Sequence, residues 1–153
     1  VISHLAAEGN PRAIRFPRAR LAEHSLDFSF SGLKTAVAAH VEGQRRSNQP
    51  LAVEDICASF QEAVVEVLVD KTLEAARQTG HCRVVIGGGV AANPRLREAL
   101  TQQCATQGLE LFMPSLAYCT DNAAMIGVAG YYRFLAGELA DADTDAYSRS
   151  PLN

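Results

Sequence analysis

Val84-Val85-Ile86-Gly87-Gly88-Gly89-Val90-Ala91-Ala92-Asn93-Pro94 is the stretch whose reading decides the fold. Its three leading apolar residues suit a short strand buried on both faces. Three glycines then allow a sharp turn and close approach to a ligand without Cβ clashes. Asn93 is a good helix N-cap, and Pro94 is preorganised for the first helical position. A helix N-terminus presents unsatisfied amides and the positive end of the dipole, which favours anions and polar ligand groups. Two readings of the glycine turn stay open: a nucleotide site, or a βα turn whose glycines serve only tight packing.

Outward from this stretch the pattern is regular. Pro94 opens a helix to about Gln107, with Leu96, Ala99, Leu100 and Cys104 inward and Gly108 closing it. Cys82 to Ile86 and Leu109 to Met113 are the flanking strands, so the spacing predicts a parallel βαβ unit with a right-handed crossover. Upstream, Leu51 to Thr79 is the longest helical pattern. Ile56, Phe60, Val64 and Val67 form its stripe, and Val65, Leu68 and Val69 widen it, so it should be buried on more than one side. A shorter helix runs to about Arg46, with Ser29 or Ser31 as cap and Leu33, Val37 and Val41 facing the core. Residues 1–9 read as a helix end stopped by Gly9-Asn10-Pro11, and residues 10–27 as irregular. Downstream, Thr120, Asp121 or Asn122 caps a helix to about Leu135. Its Ala123, Ala124, Gly127, Ala129 and Gly130 allow close packing against another element, and an acidic, alanine-rich tail follows Gly137.

Hydrophobic residues make up 48% of the 153, charged residues 20%, and the net charge is -3. That suits a soluble globular protein and excludes a uniformly basic nucleic-acid surface, though not a local basic patch. Cys57, Cys82, Cys104 and Cys119 are scattered with no C-x-x-C pair, which points to reduced thiols in a cytoplasmic protein. No signal peptide or membrane span is visible. The chain opens on Val1 in a helix-like run and reads as cut from something longer.

Several polar groups have two readings each. Arg12, Arg15, Arg18 and Arg20 surround Phe16-Pro17, as RNA-binding residues do, or as a solvated loop does. Glu62 and Glu66, one turn apart, are paired carboxylates or, as nothing else marks them as catalytic, a solvated helix face. Lys34 near a helix start contacts a phosphate or an acid, or is simply exposed. Asp121 caps a helix or offers a hard oxygen to a metal near the ligand-binding end of the strands. His4, His24, His40 and His81 share no ligand spacing, and no G-x-S-x-G elbow or Walker lysine loop is present. No catalytic residue is assigned.

Three stretches in order carry a resemblance. Phe28-Ser-Phe-Ser-Gly-Leu-Lys-Thr35, Gly87-Gly-Gly-Val-Ala-Ala-Asn-Pro-Arg-Leu-Arg97 and Cys119-Thr-Asp-Asn-Ala-Ala-Met125 resemble signatures of the TsaD family, with the bacterial branch closest. These are tRNA threonylcarbamoyladenosine transferases, formerly labelled O-sialoglycoprotein endopeptidases. The resemblance implies an α/β fold, the C-terminal lobe of an actin-like ATPase (Hsp70, sugar kinase, actin). It would occupy residues 1–137 with an incomplete sheet, a parallel βαβ unit and several helices, before a tail over 138–153. It implies transfer of the threonylcarbamoyl group from threonylcarbamoyl-adenylate to the exocyclic amine of the adenosine following the tRNA anticodon. It also implies a divalent metal ion, iron or zinc, an adenylate or ATP ligand, and two partners: a paralogous actin-like subunit and a small ATPase. By the same resemblance Asn93 would hold the adenylate and Gly87, Gly88 and Gly89 would form the floor under its adenine. Asp121 would be a metal ligand rather than a cap. Ser31 or Lys34 would face the cleft.

The departures matter. The family's metal site also uses two histidines spaced H-x-x-x-H, and no such pair occurs here. The phosphate-contacting segments and the first strands of the lobe's sheet are missing too. The expectation is therefore a C-terminal half, inactive alone, holding metal poorly through Asp121 only, with an open sheet edge that invites self-association. One rival is an NAD-type dinucleotide-binding domain: Gly87-x-Gly89-x-x-Ala92 fits the loose fingerprint, and Glu110 lies at the expected distance. Another is a non-catalytic actin-like partner module. A protease reading finds no nucleophile or zinc motif.

Overall fold

The computed structural model describes residues 1–18, 25–141 and 143; Arg20, His24 and residues 144–153 of the tail lie outside the described residues. The chain forms two compact units, Val1–Cys119 and Thr120–Asn153.

The first unit is built on α3 (Val53–Thr79). Its 27 residues make a rod about 40 Å long. Glu54 and Asp55 occupy its first turn, where negative charge complements the dipole, and Gly80 ends it at φ 69°. The apolar stripe is wide enough to serve three cores. Phe16, Leu33, Ile56 and Ala63 close one cluster against α2 (Ser31–Arg46). Val65 and Val69 meet Leu96, Ala99 and Leu100 of α4 (Pro94–Thr106) in the second. Ala76 meets Val84 and Cys104 in the third. Burial of α3 on several sides, and the inward set of α4, are as the periodicity requires.

β1 (Arg83–Val85) and β2 (Glu110–Phe112) pair in parallel, Val84 opposite Leu111. The βαβ unit is therefore present, with α4 as the crossover. Among the described residues the sheet has two strands, and this corrects the expectation of burial on both faces. Val84 is buried on the α3/α4 side, whereas Val85 is 76% exposed, because no described element covers the other face.

The caps divide. Asn93 caps α4 through a hydrogen bond to its side chain from the Leu96 amide (3.0 Å), with Pro94 following it, as read from sequence. Neither Ser29 nor Ser31 caps α2. The N-cap is Phe30, with no side-chain hydrogen bond, and Ser31 is already helical. The first helix, α1 (Ile2–Ala6), stops before the expected boundary at Gly9.

Gly9 has a different task. A Cβ there would lie 2.0 Å from the Glu54 carbonyl oxygen, so the turn after α1 crosses the start of α3 with no room for a side chain. Polar bonds fix the crossing. The Asn10 amide donates to Asp55 Oδ1 (2.7 Å), and Ser59 Oγ, fully buried, donates to the Asn10 carbonyl and accepts from the Ile14 amide (3.1 Å). These bonds hold the irregular segment after α1 against α3.

The second unit contains α5 (Ala123–Leu135), capped by Asn122, whose side chain accepts from the Met125 amide (3.2 Å). Within this unit α5 buries no residue, and Gly127 and Gly130 meet no close neighbour.

Gly9→Ala should lower unfolding free energy by about 1–3 kcal/mol or more through overpacking against backbone. Gly43→Ala, in open space on α2, should be neutral or stabilising by up to about 1 kcal/mol. Urea denaturation of the two variants reads the difference; equal stability would mean that α3 does not pin the turn.

Candidate functional site

The glycine turn begins where β1 ends. Ile86 donates to the Phe112 carbonyl (3.1 Å), and the chain then leaves the sheet. Gly88 takes φ 80° and ψ 173°, a conformation closed to side-chain-bearing residues. Gly89–Ala92 form one 3₁₀ turn, anchored by buried Ala91, before Asn93 starts α4. A Cβ on Gly87, Gly88 or Gly89 would meet nothing within 4 Å. The tight-packing reading of these glycines therefore fails. Gly88 is needed for its dihedral angles, while Gly87 and Gly89 leave a backbone surface open on its outer side.

Asn93 is held from two directions. Its Oδ1 caps α4, and its Nδ2 donates to Gln61 Oε1 on α3 (2.8 Å). One N–H of the carboxamide is left for a further acceptor. The two amides line a mostly apolar cavity of about 380 Å³ with Phe60, Val64, Gly89 and Val90. Sequence reading missed Gln61. The available signal was a polar side chain set directly beside the apolar stripe of α3.

It also gave Arg97 no role. The Arg97 guanidinium donates to the Ala91 carbonyl (2.9 Å) and the Pro114 carbonyl (2.9 Å), and lies 3.8 Å from Cys119 Sγ. One planar fork therefore ties the loop after β1 to the loop after β2, at the ends of the strands where α/β folds bind ligands. Cys119 is buried beside it and donates to the Ser115 carbonyl.

Asp121, in the second unit, is exposed, and its carboxylate makes no hydrogen bond or ion pair among the described residues. Asn122 is the cap, so Asp121 is not. Among the described residues no three His, Cys, Asp or Glu side chains gather as a metal site. Asp121 thus offers a single hard oxygen, and the described residues do not complete a ligand set around it. Burial pushes the Cys104 thiol up, which keeps it protonated and unreactive. Ser31 and Lys34 are exposed on the first turn of α2.

Glu62 is half-buried and Glu66 exposed, and each is paired with an arginine. Glu62 receives both arms of Arg95 (2.8 Å each), and these hydrogen bonds raise the Arg95 pKa above its ordinary value; Glu66 receives Arg18 (2.6 Å). Phe16 is buried edge-on against His40, so it offers no stacking surface. Glu110 stands at the start of β2, opposite Arg83 and 3.3 Å from its guanidinium. That is the end of the sheet away from the glycine turn, where it cannot meet a ribose bound there. The dinucleotide reading loses its acid.

Arg97→Lys should keep the charge but lose the bidentate bridge, raising amide hydrogen exchange over residues 87–92 and 114–119 at least several-fold. Unchanged protection in both loops would show that the fork holds neither.

Comparison with known proteins gives one consistent result. The TsaD family model, described as tRNA N6-adenosine threonylcarbamoyltransferase, matches residues 1–128. A protein of that description from Clostridioides difficile is 48% identical over 153 residues, covering 100% of this chain and 45% of its own length. One from Syntrophotalea carbinolica gives the same identity and coverage. One from Moorella thermoacetica is 50% identical over 152 residues, 99% of this chain and 44% of its own. The chain therefore spans less than half the length of the curated relatives it matches. Among the described residues no helix is long and apolar enough to cross a membrane. With the glycine turn, the Asn93 cap and the Asp121 loop all inside the matched span, the chain belongs to the TsaD family, whose fold is of the actin-like ATPase type.

Proposed function

We propose that this chain supplies the adenylate-binding part of a cytoplasmic tRNA threonylcarbamoyladenosine transferase, with residues 1–137 as the C-terminal lobe and 138–153 as a tail. The observation that carries the reading is the open backbone surface over Gly87 to Gly89 beside an oriented carboxamide at Asn93. A flat adenine can lie on glycine backbone where any Cβ would lift it off. The remaining Asn93 N–H donates to the ribose or base, and its direction is fixed by Gln61 and the α4 cap. In the transfer, the adenosine amine attacks the carbamoyl carbon, a C–N bond forms, the C–O bond to phosphate breaks, and the amine loses a proton as AMP leaves. This chain's residues bind and orient the donor; among the described residues none is assigned to move that proton.

Asp121 would give one oxygen to a divalent ion, iron or zinc. When bound, such an ion polarises the acyl donor or neutralises its phosphate. Its other ligands come from outside the described residues, so the 153 residues alone should neither hold the ion well nor catalyse transfer. tRNA, a paralogous actin-like subunit and a small ATPase complete the proposed assembly.

The test uses the full-length protein and threonylcarbamoyl-adenylate. Asn93→Ala removes the cap and the N–H, and should lose about 1 kcal/mol of stability together with roughly tenfold or more in affinity. Asn93→Asp restores a cap acceptor but not the donor. Affinity lost in both variants supports direct contact; affinity restored by Asp would leave Asn93 a structural role only. Asp121→Ala should lower metal content measured by plasma emission, and full occupancy would remove Asp121 from the ligand set.

A further inference from the structure

A charged cavity among the described residues is separate from the glycine turn. It lies between the ordered segment after α1 and the polar face of α3, with a volume of about 1020 Å³. Arg12, Arg15, Arg18 and Arg95 line it, and the acids on its wall are Glu62 and Glu66. Both acids are already engaged, Glu62 with Arg95 and Glu66 with Arg18. Arg12 and Arg15 are exposed, and their side chains make no hydrogen bond or ion pair among the described residues. Among the described residues, two positive charges therefore remain over the cavity of a chain whose net charge is -3.

The backbone carrying them is fixed rather than loose. Asp55 holds the Asn10 amide, Ser59 holds both the Asn10 carbonyl and the Ile14 amide, and Phe16 is sunk in the core. The Asn10 side chain accepts from the Arg12 amide (2.9 Å), and Arg18 Nη1 donates to the Phe16 carbonyl (2.7 Å). Two unpaired guanidiniums on a rigid loop suit oxyanions with fixed spacing. Because Phe16 is enclosed against His40, no aromatic face is offered to a base.

We propose that this cavity binds the phosphodiester backbone of the tRNA substrate, through Arg12 and Arg15, with Arg18 and Arg95 as walls held in place by Glu66 and Glu62. The contact positions the RNA and carries no sequence information. The inference rests on the transferase reading for its choice of ligand, but its residues are distinct from the adenylate site.

The experiment measures tRNA binding by fluorescence anisotropy, between about 50 and 200 mM salt, for the full-length protein and its Arg12→Gln/Arg15→Gln variant. Neither side chain supports the fold, so circular dichroism should be unchanged. The expected result is about tenfold weaker binding at low salt, a salt slope reduced by about 2, and an equal loss for an unrelated tRNA. Threonylcarbamoyl-adenylate affinity should not move. Unchanged tRNA affinity and slope would overturn the cavity assignment while leaving the transferase reading intact. A wild-type protein that binds the adenylate but no tRNA would overturn the reading and the assignment together. Lost binding of a protein partner, with tRNA affinity intact, would overturn the RNA assignment in favour of an acidic protein surface.

Discussion

One helix has to hide apolar side chains on several sides at once, and the first unit follows from how it does so. α3 carries Ile56 and Ala63 toward α2, Val65 and Val69 toward α4, and Ala76 toward the sheet. Solvent cannot be left on any of these faces without exposing a whole cluster. α4 is therefore bound to α3 along its length, and the position of Asn93, at the start of α4, is set by that packing. Gln61 sits on α3 within reach of it for the same reason. The Asn93 amide is thus fixed by a hydrophobic contact made elsewhere on the same two helices.

The polar side of α3 is used as fully as the apolar one. Asp55 and Ser59 take up the chain returning from α1, while Glu62 and Glu66 each take an arginine from a different segment. Spaced at three to four residues, these four side chains make a second stripe down the helix. The upper half orders a loop without regular structure, and the lower half neutralises the inner arginines. Arg12 and Arg15, uncompensated among the described residues, are then displayed by a rigid frame.

Much of this was legible in the sequence because it depends on local chemistry. Asn93-Pro94, Gly80, Gly108 and the periodicities of α3 and α4 act over one or two turns, and each appears where the residues put it. What was not legible depends on partners distant in the chain. Glu62 looked like a solvated face because Arg95 lies 33 residues away. Phe16 looked available to a base because His40 and the α2 core are not its neighbours in sequence. Val84-Val85-Ile86 looked buried on both faces because composition reports affinity for an interior, and only the elements present decide whether a second layer is supplied. The Arg97 fork was invisible for the same reason: its acceptors are carbonyls, which every residue has.

The three glycines sharpen the point, since their chemistry was legible but its cause was not. Gly88 is required by its own φ of 80°. Gly87 and Gly89 lie outside the left-handed region, and a Cβ on either would touch nothing. At such positions alanine should stabilise a protein by about 0.4–1 kcal/mol, by restricting the unfolded chain. Glycine at both positions is thus a standing loss that no contact within the described residues offsets. That bare surface is the observation on which the adenylate proposal rests. Glu110, the acid that a dinucleotide ribose would need, stands opposite Arg83 at the other end of the strands, so the proposed single adenylate suits this bare surface better than a dinucleotide does.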